Sequence, residues 1–491
     1  MTEGICVKIS GFEQVFASRR EVLRGMAGGG LALGLPCGGA AAQQAVTPGG
    51  ASRVLALTLG PLAVPAKPGA APSPMLAVNG AIPGPVLRVP RGAPVTLRVQ
   101  NSLDQPTALH IHGYRGANRA EQVPGLTGEP IPPGGVREWQ IETPDAGTYL
   151  YLPVLQGRAA EQLERGLGGA FIVTEPDAPA VDHDVVLLLD DIRLNDAGLL
   201  AGDFGDRLDA ARAGRLGNLL LVNGRTLAEE LVVRPNARLR LRFGSLANAR
   251  VMPLKFENAR ATVLAIDGQA CDPFDPLKRT VVLLPGSRYE VMVDAPAVAG
   301  QEARILVAAG AGLPIIRIRS EGPALPERPP VGRLPLNDLP ASIRLQNAAR
   351  SEIAITGGAP RPDKPDAPAP APETWLGQFP PGKPLFQING GFNTGFAAKP
   401  VLSVRRGAPV VLALTNRTRW PQVLSVHGHV FRLLHPMDDG WEPYFLDTLH
   451  LPPGTTSRIA FDAVNPGKWA IRSTIAEHYD AGVATWFEVL P

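Results

Sequence analysis

The chain has 491 residues, 45% of them apolar and 19% charged, with a formal net charge of +3. That length suits about three domains of ordinary size, and the apolar share excludes general disorder. The near-balanced charge, with basic residues spread out and not gathered into a stripe, excludes a nucleic-acid partner.

In chain order, the first feature is an export signal. Ser18-Arg19-Arg20-Glu21-Val22-Leu23 resembles the twin-arginine pattern, a mild apolar run from Gly25 to Leu35 follows, and Ala40-Ala41-Ala42 offers a small-residue cleavage site. The apolar run is too short to span a bilayer, which needs roughly 20 residues. Residues 1–42 are therefore read as a cleaved leader, with the mature chain exported folded to the periplasm and carrying no membrane span. Of the three cysteines, Cys6 and Cys37 fall in this leader and only Cys271 in the mature chain. No internal disulfide follows, and Cys271 reads as a buried structural thiol.

After the leader one β-unit recurs three times. It opens on Val78-Asn79-Gly80, Val222-Asn223-Gly224 and Ile388-Asn389-Gly390, and an alternating strand follows, with Val95, Leu97 and Val99 in the first copy and Leu239, Leu241 and Phe243 in the second. Period-two alternation predicts one face packed inward and one exposed. Each copy then carries a Pro-Gly turn, at Pro133-Gly134, Pro285-Gly286 and Pro453-Gly454, before another alternating strand. With 54 Gly and 51 Pro to make turns and no long amphipathic helix, the chain predicts all-β sandwiches in tandem. The boundaries fall near 45–177, 178–325 and 373–491, with a Pro-rich connector over 326–372.

Four segments carry a more specific signal. Gly467-Lys468-Trp469 continues through Arg472-Ser473-Thr474 to His478, Gly482 and Val483; Ala108-Leu109-His110-Ile111-His112-Gly113 contains H-x-H-G; Gly147-Thr148-Tyr149-Leu150-Tyr151-Leu152-Pro153-Val154 and Gln422 to Phe431 complete the set. In frame and spacing these resemble the copper-binding segments of the multicopper oxidases, over essentially the whole mature chain. The resemblance implies three cupredoxin-like Greek-key β-sandwiches. It also implies two copper loci: a type 1 copper on two His, a Cys and usually a Met, and a three-copper cluster held by eight His. On a strand, residues i and i+2 point the same way, so H-x-H sends both imidazoles into one cavity.

Carried over position by position, the resemblance leaves few ligands. His110 stands at a type 2 position and His112 and His427 at type 3 positions, while His478 is a type 1 remnant. Leu152, Val154, Arg472 and Thr474 stand where type 3 histidines would be, Ser425 where a type 2 histidine would be, and Gln422, Ser473 and Val483 at the type 1 histidine, thiolate and axial positions. His429 falls where the family's histidine is ordinarily not a ligand. A blue copper site needs its thiolate, so four-electron oxidase chemistry is not expected. Arg472 is expected either to be buried and paired with a carboxylate or backbone carbonyls of the first unit, helped by Ser425 and Thr474, or to point to solvent. Leu152 and Val154 are expected to pack the cluster's cavity.

The sequence therefore reads first as a non-catalytic periplasmic binding or scaffold protein without a cofactor. It is similar to the copper-less branch of the family that includes the cell-division proteins of the FtsP (SufI) kind, which implies a protein partner in the division or envelope machinery. The alternative is a divergent oxidoreductase with one copper or zinc on His110, His112 and His427, at low occupancy.

Overall fold

The computed structural model describes residues 45–46 and 54–491, except 227, 311, 362–369, 380 and 439. The stretch read as a leader (1–42) and part of the stretch read as a connector lie outside the described residues. Among the described residues, thirty strands form six sheets, and three large apolar cores lie between them, one per sandwich. Three cupredoxin-like units therefore follow one another along the chain. Strand Ala349–Gly357, inside the stretch read as connector, pairs parallel to Pro409–Asn416 and so belongs to a sheet of the third unit.

The Asn-Gly repeat has one physical cause in all three copies. Asn79, Asn223 and Asn389 adopt positive φ of 53°, 50° and 52°, a conformation that Asn tolerates better than most residues. Each then clamps a preceding strand with its amide. The side-chain oxygens accept from the backbone N–H of Thr58, Leu188 and Ala354, and the NH2 groups donate to the carbonyls of Ala56, Val186 and Glu352. The Pro-Gly turns repeat as faithfully: Gly134, Gly286 and Gly454 donate to the carbonyls of Asn101, Ser245 and Asn416, the last residues of the three alternating strands.

The first alternating strand, Val95–Asn101, buries every second residue as expected. Arg238–Ser245 departs from the expectation, because all eight of its residues are buried. Its arginine face is covered by charge and not by water. Arg240 pairs with Glu175 and Glu290, and Arg242 pairs with Asp184 and Glu290 while also donating to Thr148 of the first unit. Period two located the apolar face correctly. The opposite face is closed by a long-range ion network that local alternation does not encode.

Among the described residues, helix is confined to short turns. Ala159–Glu164, Arg207–Ala211 and Ala476–Asp480 come from the first, second and third units, and the last packs on both of the others. The turn at 476–480 directly follows the strand that carries Arg472. Among the described residues, no helix is long and apolar enough to cross a membrane. Cys271 is buried in the core of the second unit, where burial pushes its thiol up to about 12.

Candidate functional site

His110 and His112 lie on strand Leu109–His112, which runs antiparallel to Gly147–Pro153 and sets His110 opposite Leu152 and His112 opposite Leu150. His427 follows strand Gln422–Val426 and is anchored by its N–H donating to the carbonyl of Ala470. The sharp turn behind it requires Gly428. Its φ is +66°, and a β-carbon there would come within 2.1 Å of the Trp469 ring. Arg472 lies one strand over, opposite Ser425. First and third units thus bring these four side chains into one buried space.

The geometry fixes the protonation pattern there. Arg472 is 4% exposed. Its Nε donates to His427 Nε2 at 3.0 Å, its Nη2 to His110 Nε2 at 2.8 Å, and its Nη1 to the Ser473 carbonyl at 3.0 Å. A guanidinium has only donors, so both Nε2 atoms must accept and both imidazole protons must sit on Nδ1. Those Nδ1 atoms face the same oxygen of Glu121, at 2.5 Å from His427 and 3.4 Å from His110. The two rings stack almost parallel, 4.8 Å apart. The result is a closed circuit in which Arg472 donates to two neutral imidazoles and both imidazoles donate to the Glu121 carboxylate.

The electrostatics agree with this assignment. Burial, joined by the Arg472 charge, lowers His110 to about 3 and pulls His427 below its usual value. Burial works to raise Glu121, but His427 and His110 outweigh it and hold the carboxyl at about 2. Burial also lowers the Arg472 guanidinium, but an arginine remains charged in a protein. The Tyr479 ring lies 4.8 Å from the guanidinium carbon and adds a cation–π contact.

His112 shares the space but not the circuit. Its Nε2 is 3.4 Å from Thr448 Oγ1, and its buried Nδ1 has no hydrogen-bond partner among the described residues. His110, His112 and His427 are the one group among the described residues whose ligand atoms could hold a metal ion together, all lying within 4.8 Å of one another. His478 lies apart. Its Nδ1 is 3.0 Å from Gln422 Oε1 and its Nε2 is 2.8 Å from the Arg212 carbonyl. Burial lowers this imidazole to about 4, so it is neutral at pH 7. Nε2–H then donates to Arg212, Nδ1 accepts, and the Gln422 amide must present its NH2 to the ring. Ser473 Oγ donates to the Val423 carbonyl, and Val483 is fully buried. His429 packs instead among Phe461, Trp469 and Phe487, away from both loci.

Three family models described as multicopper oxidase match residues 64–178, 184–306 and 367–491, most of the chain between them. The chain belongs to the multicopper oxidase family. It is similar to the multicopper oxidase MmcO of Mycobacterium tuberculosis, 26% identical over 80% of this chain and 79% of that protein. It is also similar to the cell division protein FtsP of Histophilus somni, 31% identical over 42% of this chain and 44% of that one. A crystal structure of a multicopper oxidase from Pseudomonas thermotolerans covers 91% of this chain and 100% of its own, with a TM-score of 0.77 and 26% identity.

Within this multicopper oxidase fold, sequence reasoning placed His110, His112 and His427 in one space, set His478 apart and singled out Arg472. It offered Arg472 either a buried place with a carboxylate or backbone carbonyls of the first unit as direct partners, Ser425 and Thr474 assisting, or an outward place in solvent. The direct partners are instead imidazoles and the Ser473 carbonyl, and the carboxylate stands one bond further back. Ser425 Oγ has no partner among the described residues, and Thr474 Oγ1 bonds the Val423 carbonyl. Leu152 and Val154 are buried in two small apolar clusters flanking the site. Glu121 was missed. It follows a 3-10 turn, Asn118–Ala120, in a polar loop, and its one signal is an acidic residue eleven positions behind His110.

Proposed function

We propose that this chain is a non-catalytic member of the multicopper oxidase family. In this reading it is exported to the periplasm by its twin-arginine leader and works there as a binding or scaffold protein for the division or envelope machinery. One observation carries the reading: the Arg472 guanidinium sits between His110 and His427 and uses both Nε2 lone pairs. A copper ion needs those lone pairs and would have to displace a buried positive charge to reach them. Around His478 the neighbours are Gln422, Ser473 and Val483, which offer no sulfur. The residues present therefore do not fit the family's coppers.

The chain's relatives differ in what they do. The longer match is to an oxidase, and the higher identity, over a shorter span, is to a cell division protein. The bonds of Arg472 tip the balance toward the second. A minor reading, a single metal on His110, His112 and His427, is favoured by the closeness of their ligand atoms.

The deciding experiment is reconstitution with copper, followed by a visible spectrum and a phenol-oxidation assay. No intense thiolate-to-copper band and no turnover above a metal-free control are expected. A blue protein, or copper-dependent turnover, would sink the scaffold reading.

A further inference from the structure

Arg472 bonds across a contact between units. It stands on a third-unit strand and donates to His110 of the first unit, and third-unit His427 bonds first-unit Glu121. Glu121 faces both Nδ1 atoms and so turns both Nε2 atoms toward the guanidinium, as a carboxylate behind a metal-bound histidine turns its free nitrogen toward the ion. His112 completes the group, its ring 5.7 Å from that of His110 and 6.4 Å from that of His427. Three buried imidazoles with converging nitrogens suit zinc or Cu(II). Two of those nitrogens are already bonded, and both accept from the same cation.

We propose that the Arg472 guanidinium is a resident cation that fills and closes a three-imidazole divalent-metal site, so that the chain excludes a metal which the same space without this side chain would bind. The guanidinium and the ion are alternatives for one role: a positive charge that draws His110 and His427 together across the contact between units. This deepens the non-catalytic reading, because it names what replaced the metal there. The two fail separately. Copper-dependent turnover by the unmodified chain would sink the earlier reading, whereas the present one is decided by zinc binding to a variant.

The test is zinc titration of the full chain and of Arg472→Ala, read by competition with a chromophoric chelator, with Arg472→Ala/His427→Ala as the control. The unmodified chain should take up no tightly held zinc. Arg472→Ala should take up one equivalent, on the order of a hundredfold tighter or more once the buried charge is gone. The double variant should lose it. Zinc should also restore part of the thermal stability that Arg472→Ala loses, and no such recovery should occur in the double variant. Equal zinc affinity with and without Arg472 would overturn the proposal. So would a folded Arg472→Ala that binds none, or binding indifferent to His427. Failure of Arg472→Ala to fold even with zinc present would overturn it too, since zinc would then be unable to take the guanidinium's place.

Discussion

Arg472 and Ser473 are neighbours on one strand and point to opposite sides of it, and the two loci they enter are filled by different means. On the Ser473 side, third-unit His478 and Gln422 share a neutral hydrogen bond, Ser473 donates to the Val423 carbonyl, and one carbonyl, that of Arg212, comes from the second unit. On the Arg472 side, a full positive and a full negative charge are buried and joined through two imidazoles that belong to different units. A locus built almost wholly within one unit can be closed with dipoles, because the sandwich core already holds its walls together. A locus that lies between units has only small apolar clusters beside it, and here it is closed with charge. The two sides should therefore respond to mutation on different scales.

The largest difference should appear at Arg472. Removing it leaves Glu121 buried without its compensating charge. Breaking a buried pair in this way costs about 3–5 kcal/mol, measurable as a shift in the denaturant midpoint of Arg472→Ala. Arg472→Lys should also be costly, because one ammonium cannot reproduce the two donations to separate imidazoles. If both variants stay within about 0.5 kcal/mol of the parent, as surface changes do, the contrast between the loci is false.

A double-mutant cycle sharpens the same point. Glu121→Gln and Arg472→Ala should each destabilise, and the pair together should cost less than the sum, with a coupling of about 1–3 kcal/mol. Full additivity would mean that the imidazoles do not transmit the interaction. On the other side, Gln422→Leu removes the partner of His478 Nδ1. Leaving that nitrogen buried and unsatisfied should cost about 1–3 kcal/mol, less than the loss of a charge.

How far the sequence reached differs along the same line. The repeated Asn-Gly and Pro-Gly turns and the alternating strands are local signals, each read from a few adjacent residues, and they were enough for three tandem sandwiches. The placing of His110, His112 and His427 together, with His478 elsewhere, came from family spacing. What stayed out of reach was every partner fixed only by tertiary contact. Glu121 is an ordinary loop acid until the fold brings His427, 306 positions along, to its carboxylate. Arg240 and Arg242 looked like the outward residues of an alternating strand, because their partners Glu175, Asp184 and Glu290 are scattered over two other strands and a loop. Charge pairing at long range carries no period, so no pattern in the chain announces it.

The last effect expected is pH-dependent and concerns Glu477, on the helical turn where the three units meet. One of its oxygens accepts from Asn248 Nδ2 at 2.6 Å. Burial pushes its carboxyl up to about 7 from 4.5, against the pull of the Asn248 bond. A carboxyl raised on folding contributes stability that is fully present below the unfolded value, near 4.5, and is lost as pH rises through the folded value, near 7. The whole profile will not show this cleanly. Burial also lifts Glu164, Asp267 and Asp480 to about 7, while His110 and His478, lowered by burial, pull the other way as pH falls below 6.5. Glu121 and Glu290, held at about 2 by their partners despite burial, add loss only below about 4.5. The useful quantity is therefore the difference between Glu477→Gln and the parent, since the amide keeps an acceptor for Asn248 and cannot ionise. Measured by denaturant unfolding from pH 4 to 8, that difference should rise in favour of the variant between about 4.5 and 7 and level off above it. A difference flat across the range would place Glu477 in contact with water, and the junction of the three units would be looser than the charge-closed contact beside it.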